Sequence, residues 1–164
     1  MGLAYRLKHH FFSAFRELFV HHHGSLEFRS KIFALLIATD DESSEIAYEL
    51  VNNIGLNIYK GDEARAKLLV LATQELVRKV KDNNGLDIDI LVTNIQKELK
   101  IIPRYAKKID IESLLPIVNI AKDSDTQAYQ KNILEFLQKL KDETLQTKKS
   151  QIENAEKDLD SKYS

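Results

Sequence analysis

Apolar residues recur at three- and four-residue intervals along almost the whole of this 164-residue chain, and only two prolines, Pro103 and Pro116, interrupt them. That period belongs to helices, whose side chains return to the same face every 3.6 residues; strands alternate with a period of two. Residues 3–20 read as an amphipathic helix with Leu7, Phe11, Phe15 and Leu18 on one stripe, widened by Phe12 and Phe19. A second segment, 26–38, ends in the run IFALLIA. A third, 42–54, puts Ile46, Leu50, Val51 and Ile54 on one side, with Gly55 suited to its end. The fourth, 62–81, can be capped by Asp62 and is apolar over so wide an arc that it is expected at the centre. The turn DNNG at 82–85 closes it, and Asp87 can cap a fifth helix through Leu99. Residues 104–122 read as a divided helix, with Ser113 as an N-cap that places Pro116 in a tolerant first turn. Residues 126–140 form the last strong helix.

The expected fold is therefore all-α, a bundle of about seven helices. Its expected parts are an N-terminal amphipathic helix over 1–24, a helical domain over 25–141, and a charged tail over 142–164 that is either a frayed helix or disordered. Composition agrees. The chain is 43% hydrophobic, enough for a core, and has five glycines and no cysteine. The missing cysteines exclude disulfides, thiolate metal sites and a cysteine nucleophile. With 24 basic and 25 acidic residues the net charge is −1, so bulk electrostatics give nucleic-acid binding no support. No apolar run approaches the roughly 18 residues of a membrane span, and charges break up any signal-peptide pattern. A cytoplasmic protein is expected, with a peripheral place on the inner face of a membrane as its variant.

Two stretches match without a gap. LLIATDDESSEIAYELVNNI begins at Leu35 and VNIAKDSDTQAYQKNILEFL at Val118, and Ile37 pairs with Ile120 at a constant offset of 83 positions. The shared phrase is I-A-x-D-x-[DE]-[ST], lying between an apolar helix end and an amphipathic helix start. Asp40 pairs with Asp123 and Glu42 with Asp125. Two such corners predict an internal pseudo-two-fold repeat. Capping accounts for part of the match, because Asp41 and Ser124 are good N-cap residues and Ser124-x-x-Gln127 fits a capping box.

The phrases FALLIATDDESSEIAYEL and LPIVNIAKDSDTQAYQKNIL resemble the two corner motifs of TerB-like proteins, a family associated with tellurite resistance. The resemblance covers about residues 30–140. It implies an internally symmetric all-α fold, a non-catalytic role in stress-response sensing or scaffolding, and an acidic surface that binds a divalent cation. Carried over, the acidic positions are Asp40, Glu45 and Asp123. The chain departs from the family pattern in two ways. Asp41 and Ser124 replace the glycine after each motif aspartate, and the second motif's glutamate falls near Gln130.

Read by their chemistry alone, Asp40, Asp41, Glu42 and Glu45 at one corner, with Asp123 and Asp125 at the other, are candidate oxygen ligands for Ca²⁺ or Mg²⁺ if the fold joins the corners. An EF-hand is excluded, because the loop from Asp123 lacks glycine at its sixth position and glutamate at its twelfth. His9, His10, His21, His22 and His23 read as solvated, since consecutive helical residues point in different directions. No nucleophile–base constellation or phosphate loop occurs, so an enzyme is not expected. The second lead is the N-terminal helix. Arg6, Lys8 and Arg16 flank the stripe of Phe11, Phe12, Phe15 and Phe19, which suits a protein partner's groove or an anionic membrane surface.

Overall fold

The computed structural model describes residues 24–42 and 45–163. Those residues form six α-helices and one 3-10 helix: α1 (Gly24–Ile37), α2 (Glu45–Ile58), α3 (Glu63–Lys81), α4 (Ile88–Ile101), the 3-10 turn Pro103–Lys108, α5 (Ile111–Asn119) and α6 (Ser124–Tyr163). The all-α bundle read from the sequence is the architecture found. The N-terminal helix expected over 1–24, with Phe11, Phe12, Phe15 and Phe19, lies outside the described residues apart from Gly24.

The centre of the bundle is α1. Ile32, Phe33, Ala34, Leu35, Leu36 and Ile37 are all buried. Six consecutive residues point all around a helix, so this stretch has to be surrounded on every side. The surrounding elements are α3, α4, α5 and the 3-10 turn. Burying one side chain such as Leu35 or Leu36, both 0% exposed, is worth about 1.5–3 kcal/mol relative to leaving it in water. This corrects the expectation that segment 62–81 is central. In α3 the buried residues are Ala66, Leu69, Ala72, Thr73 and Val77, and its outer side carries Lys67, Gln74 and Arg78, all exposed.

Two caps are as the sequence foretells. Asp62 accepts the Arg65 N–H at 3.1 Å and Asp87 accepts the Ile90 N–H at 2.7 Å, each satisfying an amide without a helical partner. Two other boundaries differ. Gly55 lies inside α2 and does not end it. A Cβ there would stand 3.1 Å from Ala66 Cα and 3.2 Å from Ala66 Cβ, so the Gly55–Ala66 pair lets α2 and α3 approach closely. The helix ends later, where Gly61 at φ 84° donates its N–H to Leu56 O at 2.8 Å. That wrap closes orphan carbonyls in a backbone region glycine adopts without strain. Ser113 is not the N-cap of α5. Asp110 holds that position, and Ser113 Oγ donates to Asp110 O at 2.8 Å. The early start puts Leu114, Ile117 and Val118 on the core side and leaves Pro116 within the helix.

The last helix packs on the 3-10 turn and α5, and touches the end of α4. It does not stop where the sequence thins. The tail expected to be frayed or disordered from residue 142 continues α6 to Tyr163. No glycine or proline interrupts 124–163. Side-chain pairs one turn apart, Gln138 to Asp142 at 2.9 Å and Lys139 to Glu143 at 4.0 Å, support it locally. Among the described residues no helix is long and apolar enough to cross a membrane.

Candidate functional site

The two acidic corners are the turn between α1 and α2 and the turn between α5 and α6. At the second, Asp123 is the cap. Its Oδ2 accepts Thr126 N–H at 3.1 Å and the Thr126 hydroxyl at 3.0 Å, while its carbonyl accepts Gln127 N–H at 3.0 Å. The Thr126 hydroxyl and then the Thr126 amide hold the Asp123 carboxyl below its ordinary range. The capping box expected from Ser124 does not form, because Gln127 Nε2 turns back to Ala121 O at 2.7 Å.

At the first corner, Asp40 Oδ1 accepts Glu42 N–H at 3.0 Å. That is a local turn bond, two residues on, of the kind aspartate forms readily. Residues 41 and 42 bend away at this corner, whereas α6 starts directly after Asp123. Lys81 Nζ donates to Asp40 O at 3.0 Å. The positive charge at this corner is thus supplied by the chain itself.

A buried amide ties α6 to the end of α1. Gln130, 1% exposed, donates through Nε2 to Leu36 O at 3.0 Å. The same carbonyl accepts the Thr39 hydroxyl at 2.6 Å. Gln130 therefore helps satisfy the C-terminal end of α1, whose last carbonyls have no helical partner. Asp41, Glu42, Glu45, Asp123 and Asp125 remain exposed, and Glu45 lines an open groove of about 430 Å³ between α2 and α3 with Tyr48, Lys67 and Gln74. Among the described residues, no three His, Cys, Asp or Glu side chains come together in a group able to hold a metal ion. The ligand set of Asp40, Asp41, Glu42, Glu45, Asp123 and Asp125 is not assembled there: Asp40 and Asp123 are turned onto backbone amides, and the others face water.

Two features were not singled out in the sequence. Arg29 Nε and Tyr59 Oη are buried without a hydrogen-bond partner among the described residues. Burial lowers the Arg29 pKa against the pull of Tyr59 and Asp110. Burial raises that of Tyr59 against Arg29 and Arg65. The cavity beside Arg29 and Asp110, of about 10 Å³, is no larger than a water site.

The other feature is the far end of α6. Every residue from Lys149 to Tyr163 is exposed, a stretch of about 22 Å at 1.5 Å per residue. Eighteen residues make five full helical turns. Ile152, Ala155, Leu159 and Tyr163 therefore lie in line with Leu134, Leu137, Lys141 and Leu145. Within the bundle that line faces inward: Leu134 and Leu137 are buried, Leu145 packs on the core, and Lys141 Nζ donates to Ile109 O at 2.7 Å. Beyond the bundle the same face is bare, with Ile152 51% and Leu159 55% exposed. At its root, α6 and α4 frame a groove of about 480 Å³ lined by Leu99, Lys100, Pro103, Leu140 and Lys148 among others.

No family model matches the chain, and neither the curated proteins nor the solved structures include a match to it.

Proposed function

We propose that this chain is a non-catalytic, TerB-like helical module that holds a protein partner, with the overhanging part of α6 as its contact element. The observation that carries this reading is the packing face of α6, which runs about 22 Å past the bundle with Ile152 and Leu159 uncovered. Aligned apolar side chains on a helix, bare to water, suit burial against another helix or a groove. The corner aspartates are engaged in turn and cap bonds, so the reading needs no cation. The stress-response association rests on the sequence resemblance of the two corners.

Photocrosslinking tests it. A benzoylphenylalanine replacing Ile152 or Leu159, in cells producing the full chain, should form protein adducts on irradiation, and the same group at exposed Lys131 should not. No adduct at either arm position would overturn the reading.

A second reading rests on residues 3–20, where Arg6, Lys8 and Arg16 beside Phe11, Phe12, Phe15 and Phe19 suit an anionic membrane surface. It predicts flotation with phosphatidylserine vesicles that is lost when residues 1–23 are deleted. Flotation unchanged by the deletion would sink it.

A further inference from the structure

The arm carries a charge pattern that selects one kind of partner. Just before Ile152 stand Lys148 and Lys149. After it, Glu153, Glu156, Asp158 and Asp160 face only Lys157 before the final turn. The apolar line is symmetric about the same residue, since Leu145 and Leu159 each lie seven positions from Ile152. A second arm laid antiparallel across the first at Ile152 sets Ile152 on Ile152 and Leu145 level with the second copy's Leu159. It also brings Lys149 beside the second copy's Glu156 on one flank. By the two-fold relation the Leu145–Leu159 and Lys149–Glu156 contacts each occur twice, and the Ile152 pair, on the axis, once. A parallel pairing would stack lysines on lysines and acids on acids. Sliding the antiparallel pair by one heptad, so that Ile152 meets Leu159, moves Lys149 beside Tyr163 on that flank and sets Glu156 against the second copy's Glu156. Charge therefore chooses both direction and register, as flanking charges do in paired helices.

We infer that the occupant of the α6 arm is a second copy of this chain, paired antiparallel about Ile152. The inference rests on the proposed protein-docking role of the arm and names its partner. The acidic tip of each arm then reaches the mouth of the other copy's α4–α6 groove, where Lys100 and Lys148 lie.

The test is sedimentation equilibrium of the full-length purified chain. A reversible dimer is expected. Ile152→Glu should make it a monomer whose melting temperature matches that of the wild type in dilute solution, where both are monomeric, because residue 152 lies beyond the core. Lys149→Glu alone should weaken association by about tenfold, since two exposed ion pairs become two repulsions. Adding Glu156→Lys to Lys149→Glu should restore it, which a general loss of helix would not do. A wild-type chain that stays monomeric, or a dimer indifferent to Ile152→Glu, overturns the inference. So does a dimer weakened by Lys149→Glu but not restored in the double variant. A monomeric chain that still forms foreign adducts at position 152 would overturn self-pairing and leave the docking role standing. A monomer without adducts would remove both.

Discussion

Asp123 caps the helix that carries Gln130 seven residues on, and the two do opposite electrostatic work. The Asp123 carboxylate, in water, takes two hydrogen bonds from Thr126, and these bonds hold its pKa down. A carboxyl whose folded pKa lies below its unfolded value adds stability above the unfolded pKa, ordinarily 3.8 for this group. That stability is lost as the pH falls through the folded value. Asp123→Ala should therefore lower the melting temperature at pH 7, and the gap to wild type should close as the pH drops below the ordinary value. A gap constant from pH 7 to pH 2 would show that the charge is irrelevant. Gln130 is the buried counterpart. Its amide donates to a carbonyl that a carboxylate could only repel. Gln130→Glu should cost about 2 kcal/mol or more at neutral pH. Part of this should be regained on acidification, because a buried carboxyl has a raised pKa and folds more easily when protonated. Chemical denaturation at pH 7 and pH 5 reads both parts. The sequence showed Asp123 as conspicuous but not its job, and its neighbour Ser124 looked like the better cap. It could not show that Gln130 reaches Leu36, because the two meet only when α6 crosses the end of α1.

At the scale of elements, local signals were legible and distant ones were not. Asp62 and Asp87 cap amides three residues away, so their roles can be read within a single turn of sequence. Gly55 has its reason in Ala66, across a helix interface, and in sequence it looked like an ordinary stop. Gly55→Ala sets a gain in helix propensity of about 0.5–1 kcal/mol against an overpacking cost of about 1–3 kcal/mol. With the Ala66 backbone only 3.1 Å from the new Cβ, the cost should win by about 1 kcal/mol. A stabilised Gly55→Ala protein in urea denaturation would show that α2 and α3 separate freely. The central helix is hidden in the sequence for a related reason. Segments 24–37 and 62–81 are both richly apolar, and only the burial of every side of α1 distinguishes the surrounded helix from one that lines a side.

For the whole molecule, core and arm share one helix but not one energetic fate. The buried side chains of α6 are Gln130, Ile133, Leu134 and Leu137, and residues 149–163 bury nothing. Ending the chain after Lys148 should change unfolding stability by less than about 0.5 kcal/mol, the usual range for surface changes. A larger loss in a dilute monomeric sample would mean that the arm folds back on the bundle. In the sequence, residues 142–164 read as a charged tail, and Leu145, Ile152 and Leu159 are spaced too thinly there to mark a helix face. Their five-turn alignment with the core line became meaningful only once one unbroken helix joined them.

The unsupported stretch has one more consequence. Fifteen residues held only by their own hydrogen bonds open far more often than the bundle does, and Lys149, Lys157 and Lys162 offer trypsin three cuts there. Whatever covers the arm closes those cuts. The rate at which a pulse of protease shortens the chain thus becomes a census of occupied arms, counted one molecule at a time without any knowledge of what occupies them.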